Sequence, residues 1–131
     1  MGPVEQAIRA TFAVPTTLTT FGRRRPFVLS VIDRTGIILL LGDGAWPTRL
    51  TWVCLESVPP FLRRHPGWVP AGGKFSVAGE PGTLDQHLKR YVKRDVARWL
   101  ARVLSEAGVV EVSERPALSL QLSKRYGRHD R

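Results

Sequence analysis

The chain has 131 residues, 43% of them hydrophobic, and a formal net charge of +9 at pH 7. The length fits one domain, and the hydrophobic share is large enough for a packed core, which excludes a disordered tail. The longest apolar run, Ile37 to Leu41, is far too short to cross a bilayer.

The positive charge comes mainly from arginine: the chain has sixteen arginines and four lysines against eleven acidic residues. A small domain with such an excess attracts polyanions, of which nucleic acid is the commonest. A genome that favours arginine codons is an alternative explanation. It accounts for the excess of arginine over lysine better than for the excess of basic over acidic residues.

The chain has a single cysteine, Cys54. No disulfide can form within the chain, and no cysteine-based zinc site is available. One unpaired cysteine fits a reducing compartment, so we expect the protein to be cytoplasmic. The histidines are scattered along the sequence, and none has a second ligand at metal spacing. We therefore expect neither a metal nor another cofactor.

The N-terminal third predicts a short helix and a β-hairpin. Apolar residues at helical spacing from Val4 to Phe12 indicate the helix. After a basic turn at 22–26, two apolar runs, 27–32 and 37–41, flank a turn that ends in Gly36 and predict the hairpin. Both strands are apolar on both faces, so each face needs a cover, either helices of this chain or a second copy in a homodimer.

The middle of the chain predicts helices followed by a loop. Thr48 stands where it would cap a helix over Arg49–Ser57. Pro59-Pro60 ends this helix and allows a further turn through Arg64, because proline is tolerated in a first turn. From His65 to Gly82 the sequence is rich in glycine and proline and predicts a loop, in which only Lys74–Val77 is typical of a short strand.

The stretch from Thr83 to Ala107 is helical in pattern. Thr83 and Gln86 form a capping box that begins a helix. A single helix to Ala107 would be long for a domain of this size, so we expect a break at 90–93, where two weak helix formers stand. The break places Lys93 near the start of a second helix. One unbroken helix is the alternative.

The second of these helices has an apolar side and a basic side. The apolar stripe predicts the face that packs on the core and consists of Val96, Trp99, Leu100, Val103, Leu104 and Ala107. Arginines at successive i+4 positions, with one lysine beside them, predict a basic strip formed by Arg90, Arg94, Arg98, Arg102 and Lys93. Phosphates along such a strip release counterions and gain affinity. A solvated charged face without a ligand is the alternative.

A glycine and a second hairpin follow the basic helix. Gly108 predicts the left-handed residue that ends it. The segments Val109–Val112 and Ala117–Leu122 alternate between apolar and polar residues and predict a half-buried hairpin. The compact loop Ser113–Pro116 joins its strands.

The stretch from Thr83 to Leu122, with its helix pair, glycine stop and hairpin, resembles the winged helix-turn-helix superfamily. The resemblance extends back to Thr48, because the predicted helix and short strand before Thr83 stand in the family's order. It implies an α+β fold, a winged helix-turn-helix core with an additional N-terminal β-hairpin. The implied organisation is a single domain over 1–123, divided into an N-terminal extension (1–45) and a core (48–122), with a basic tail over 124–131.

In this family the second helix of the pair usually enters the major groove, and the wing touches the backbone or the minor groove. The resemblance therefore implies a DNA-binding protein, either a small transcriptional regulator or a DNA-recognition module, with double-stranded DNA as its partner. The residues that it assigns to DNA are Arg90, Lys93, Arg94, Arg98 and Arg102, with Asp95 on the same face, and Arg115 in the wing.

Catalytic motifs are missing from the sequence, which has neither a Gly-x-Ser-x-Gly motif nor a Walker phosphate loop. We therefore expect no enzymatic activity. Two other functions stay open: a protein-interaction or dimerisation module on the same scaffold, and an RNA-associated basic protein. Trp46 and Trp68 fall in predicted loops and are candidates for a stacking surface, although covering the edge of the core is the default expectation.

Overall fold

The computed structural model describes residues 1–72, 82–124 and 126, and within them the chain forms an α+β fold. The helices are α1 (Pro3–Thr11), α2 (Trp52–Glu56), α3 (Val58–Arg64), α4 (Leu84–Leu88) and α5 (Ala97–Glu106). The strands are β1 (Thr16–Thr19), β2 (Pro26–Ile32), β3 (Gly36–Leu41), β4 (Trp46–Thr51), β5 (Val69–Pro70), β6 (Val110–Ser113) and β7 (Ser119–Leu122). No helix in the described part of the chain has the length and apolar character needed to span a membrane.

Strands β1 to β4 form an antiparallel sheet in chain order, with the predicted hairpin at its centre. Asp33 holds the turn between β2 and β3, since its Oδ1 accepts hydrogen bonds from the N–H groups of Thr35 and Gly36. Glycine is required at Gly36 because a Cβ there would collide with the carbonyl oxygen of Leu50. The predictions of this hairpin and of the N-terminal helix are confirmed.

The two faces of this first sheet differ in their burial. Leu29, Leu39 and Leu50 lie on the inner face and are fully buried in the same cluster as side chains of α1 and α5. The outer face carries apolar side chains that are only half-buried: Val28, Val31, Ile38 and Leu40. Helices of this chain therefore cover the inner face, as the apolar pattern of the strands requires.

The helix predicted over Arg49–Ser57 is wrong in its first part, because these residues begin inside strand β4. Thr48 pairs with Leu39 instead of capping a helix. The cap is Thr51, whose Oγ1 accepts a hydrogen bond from the N–H of Cys54 at 3.2 Å. From Thr48 onward, buried and exposed residues alternate along β4 with the strand period of two. The first sheet therefore extends into the segment predicted to be the helical core.

Helix α3 and strand β5 lead into the second half of the chain. Pro59 and Pro60 lie in the first turn of α3, where proline is tolerated. Strand β5 pairs with β7 and comes earlier in the chain than the predicted strand Lys74–Val77. That predicted strand lies outside the described residues, as does most of the predicted tail over 124–131.

The prediction of two helices between Thr83 and Ala107 is confirmed, with a linker over 89–96 between α4 and α5. The Oγ1 of Thr83 accepts a hydrogen bond from the N–H of Gln86 at 3.1 Å, as the capping box predicts. The Oε1 of Gln86 accepts one from the N–H of Gly82, also at 3.1 Å. These bonds satisfy donors at the start of α4.

The linker is longer than the predicted break, and this changes the position of the basic residues. Tyr91 and Val92 both donate their N–H to the carbonyl of Leu88, which closes the end of α4. Helix α5 begins only at Ala97, so three of the basic residues assigned to it precede it: Arg90, Lys93 and Arg94. The prediction of a four-arginine strip along one helix is wrong, because only Arg98 and Arg102 lie on α5.

The second sheet has the order β5-β7-β6 and packs beside α5. Gly108 has a φ of +78°, the left-handed conformation that ends α5. Val110 pairs with Leu122 and Val112 with Leu120, so the predicted second hairpin and its glycine stop are confirmed. One cluster of buried side chains contains residues from both sheets.

Candidate nucleic-acid interface

A cleft of about 570 Å³ opens where the β1–β2 turn, the β3–β4 turn and the beginning of α5 meet. Its lining is rich in arginine and tryptophan. The charged and aromatic residues of the lining are Arg23, Arg25, Asp43, Trp46, Arg94, Asp95, Arg98 and Trp99. We call this site the basic cleft. It joins parts of the sequence that lie far apart, because the fold brings the first sheet against α5.

Trp46, the first residue of β4, stands at the cleft with 61% of its surface exposed. The guanidinium carbon of Arg94 lies 5.9 Å from the centroid of its indole, within the range of a cation–π contact. The Nη1 of Arg94 also donates a hydrogen bond to the Oγ1 of Thr48 at 3.0 Å. A Cβ on Gly44 would lie 2.7 Å from the indole Nε1, so the turn has glycine where the indole approaches the backbone.

The first turn of α5 contributes Arg98 and Trp99 to the cleft. The guanidinium carbon of Arg98 lies 5.7 Å from the centroid of the Trp99 ring. Val96, which precedes the helix, makes no side-chain cap, and the first turn contains no acidic residue. The N–H groups of this turn have no partner within the helix and carry the positive end of its dipole. The helix start therefore adds to the positive potential of the arginines.

The lining has more positive than negative charge. Its four arginines stand against two aspartates, Asp43 and Asp95. Asp95 is already paired, since its Oδ1 lies 2.5 Å from the Nζ of Lys89, which also contacts Asp85 at 2.8 Å. Burial disfavours the charge on Lys89, but its bonds to the two carboxylates outweigh burial and raise its pKa. Four arginines against two aspartates still leave the lining with a net positive charge.

The basic residues predicted from the sequence divide into three groups. Arg94 and Arg98 line the cleft. Arg90 and Lys93 are exposed in the linker between α4 and α5 and are not among the lining residues. Arg115 is exposed in the β6–β7 loop. The structure thus brings together only part of the predicted set.

The β1–β2 turn covers Arg102, one of the two arginines on α5. The guanidinium carbon of Arg102 lies 4.9 Å from the ring centroid of Phe21, and its Nη2 lies 3.0 Å from the Oε1 of Glu106. The next residue of the turn, Gly22, donates its N–H to the Oε1 of Glu114 in the β6–β7 loop at 2.7 Å. No residue of α5 before Glu106 is exposed. The basic side of α5 is therefore partly covered, and of its two arginines only Arg98 lines the cleft.

Among the basic and aromatic lining residues, the sequence did not assign Arg23, Arg25 and Trp99 to the site, and it named Trp46 only as a candidate for a stacking surface. The basic turn at 22–26 and a tryptophan in a glycine-rich loop were visible signals. Trp99 was assigned to the core face of the helix, and it is half-buried. The contact between the first sheet and α5 places these residues beside Arg94, and no local sequence pattern predicts that contact.

A second polar cluster, around His87, is a packed part of the core. The Oγ of Ser57 lies 2.8 Å from the Nε2 of His87 and donates a hydrogen bond to the carbonyl of Cys54 at 2.5 Å. With the hydroxyl proton directed at that carbonyl, the Ser57 oxygen is left to accept from the Nε2–H tautomer of His87. Burial, with nearby positive charge, lowers the pKa of His87, whose ring stacks on Phe61. Among the described residues, no group of three histidine, cysteine or acidic side chains is placed to hold a metal ion.

No protein-family model matches the chain, and no curated protein or solved structure gives a significant match. The function is therefore argued from the residues and geometry of the chain itself.

Proposed function

We propose that the protein is a non-catalytic nucleic-acid-binding protein built on a winged-helix scaffold, a small DNA-binding regulator or the DNA-recognition part of a larger system. The observation that carries the proposal is the basic cleft, whose lining contains four arginines and an exposed tryptophan. Arginine binds phosphate through a planar fork of donors, and tryptophan offers a surface for a base or a sugar. Together they form a site for a polyanion with aromatic groups.

The order of the elements supports the winged-helix part of the proposal. Helices α2 and α3 and the short strand β5 precede the pair α4 and α5, and the hairpin β6–β7 follows the pair. This is the order of the winged-helix pattern. The first sheet is an addition to that pattern and lies against α5. The scaffold therefore carries its basic surface in a different place from the one that the sequence pattern implied.

The contacts proposed for the phosphates follow from this difference. Since neither arginine of α5 is exposed, phosphates meet the protein first at the cleft, where Arg23, Arg25 and Arg94 are exposed. Each phosphate that an arginine neutralises releases condensed counterions, so binding must weaken as salt is added. Arg115 lies exposed in the β6–β7 loop, which contacts the β1–β2 turn through Glu114, and we propose it as a further phosphate contact.

A salt titration of DNA binding tests the proposal. We expect log K for a short duplex to fall linearly with log salt concentration, and Arg94→Ala combined with Arg98→Ala to weaken binding and reduce the slope. The matched control is Arg34→Ala combined with Arg64→Ala, which removes the same charge from exposed positions outside the cleft. A slope near zero, or equal affinities for the two double variants, contradicts the proposal.

A second candidate function, dimerisation or protein interaction, is favoured by the outer face of the first sheet. Its apolar side chains are half-buried in the single chain: Val28, Val31, Ile38 and Leu40. A second copy that packs on this face would bury them. Sedimentation equilibrium of the wild type and of Ile38→Asp distinguishes the cases: a dimer that the substitution dissociates supports this function, and a strict monomer that binds DNA opposes it.

A further inference from the structure

We infer that the basic cleft binds a single-stranded segment of nucleic acid, with one unpaired base stacked on Trp46 and the neighbouring phosphates held by arginines from two segments of the chain. This inference rests on the proposed function and names the form of nucleic acid that the site takes. It is argued from the exposure of Trp46, from the cover over Arg102 on α5 and from the dimensions of the cleft.

Trp46 is oriented but not buried. It is 61% exposed although its indole is a large apolar group, so core packing does not account for its position. Gly44 leaves room for the Nε1 edge of the ring, and Arg94 lies 5.9 Å from its centroid. An exposed aromatic face beside cationic groups is the platform on which proteins stack unpaired bases.

A closed duplex cannot use this arrangement fully. Its bases are stacked on each other and present only their edges in the grooves, so no base face is free for Trp46. Major-groove recognition needs an exposed helix or β-ribbon. Here Phe21 packs on Arg102, and no residue of α5 before Glu106 is exposed. An unpaired strand can use both the indole and the arginines.

The size and charge of the cleft fit one nucleotide with its flanking phosphates. Its volume of about 570 Å³ falls within the range of about 300 to 1,000 Å³ that is usual for small-ligand sites. Arg23 and Arg25 come from the β1–β2 turn, whereas Arg94 and Arg98 come from the linker and the start of α5. Cationic groups from two separate segments can follow a strand that crosses the cleft.

Stacking and phosphate binding do not depend on the sugar, so single-stranded DNA and RNA are the two sources of this ligand. Oligothymidylate and oligouridylate of equal length represent them. A duplex of the same length represents paired DNA. Fluorescence anisotropy at one fixed salt concentration gives the affinity for each, because affinities at different salt concentrations cannot be compared.

We expect at least one of the single strands to bind the wild-type protein more tightly than the duplex. Trp46→Ala should weaken single-strand binding by roughly 5- to 150-fold, the range that corresponds to one stacked base. Trp68→Ala is the matched control, since Trp68 is also exposed, at 49%, but does not line the cleft. Trp46→Phe keeps an aromatic ring and should restore part of the affinity.

The salt dependence separates stacking from charge. Trp46→Ala should leave the slope of log K against log salt unchanged, whereas Arg94→Ala should lower its magnitude by about 0.7 for a single strand. Circular dichroism of each variant checks that it is folded. Equal or tighter binding of the duplex, or single-strand binding unaffected by Trp46→Ala, overturns this inference but leaves the proposed function standing. Failure of all three nucleic acids to bind in a salt-dependent way overturns both.

Discussion

Arg94 lies over the indole of Trp46, with its guanidinium carbon 5.9 Å from the ring centroid, and connects the α4–α5 linker to the first sheet. The same side chain donates a hydrogen bond to Thr48 in β4. An exposed cation held by an aromatic ring and a hydroxyl loses little further side-chain freedom when it binds a phosphate. Under the proposed function, the Arg94 guanidinium is therefore already held in position for a phosphate before the ligand binds.

Arg94→Lys tests the geometry of this contact at constant charge. Lysine keeps the positive charge but has neither the planar fork nor the stacking surface of arginine. We expect nucleic-acid affinity to fall by about 3- to 10-fold while the salt slope stays close to that of the wild type. Arg94→Ala, measured in parallel by anisotropy, should lose both affinity and slope. If Arg94→Lys binds like the wild type, charge alone accounts for the role of Arg94.

Gly44→Ala tests the position of the Trp46 indole. The added Cβ would lie 2.7 Å from the Nε1, so the ring must move away. We expect weaker binding of oligothymidylate with a change in the free energy of unfolding of about 0.5 kcal/mol or less, since the turn is exposed. The same substitution in a Trp46→Ala background should have no further effect on binding. Additive losses in the double variant would show that Gly44 acts through something other than the indole.

Leu50→Ala and Val53→Ala test the assignment of β4. A helix over these residues would place both side chains on one face, whereas in the structure Leu50 is fully buried and Val53 is 72% exposed. Urea unfolding should show a loss of about 2–5 kcal/mol for Leu50→Ala and within about 0.5 kcal/mol of no change for Val53→Ala. Similar losses for the two variants would argue for the helix.

The buried His87 predicts a pH dependence of stability. Burial lowers the pKa of His87 below its ordinary value of 6.5, so the unfolded chain binds a proton at a higher pH than the folded chain does. The stabilisation is therefore complete above 6.5 and is lost as the pH falls from 6.5 towards the folded pKa. In urea unfolding, the wild type should lose more stability than His87→Gln between about pH 7 and pH 5. If the free energy of unfolding changes equally with pH in the wild type and in His87→Gln, the contribution of His87 is ruled out.

The features that the sequence predicted correctly are encoded by neighbouring residues. The spacing of apolar residues predicted α1 and the core-facing stripe of α5. Thr83 predicted the N-cap of α4, and Gly108 predicted the end of α5. Strand β4 was missed because Leu50 and Cys54 also stand at helical spacing, and only pairing with β3 decides between the two. Tertiary contacts can override such local patterns.

Only some of the cleft residues could be predicted from the sequence, for a related reason. Arg94 and Arg98 were assigned to nucleic acid from their spacing on a helix, but Arg94 precedes that helix. Its partner Trp46 comes from the first sheet, and no local pattern links the two residues. Their contact depends on the first sheet lying beside α5. A periodic pattern identifies the face of one element and not the element that covers it.

The position of bound nucleic acid tests the central claim most directly. NMR chemical shifts of backbone and side-chain N–H groups, followed during titration with the nucleic acid that binds most tightly, would locate it. We predict that the largest changes fall on the indole N–H of Trp46 and on Arg94, Arg98 and the β1–β2 turn. Changes centred on Arg115 and the β6–β7 loop, with Trp46 unaffected, would contradict the account.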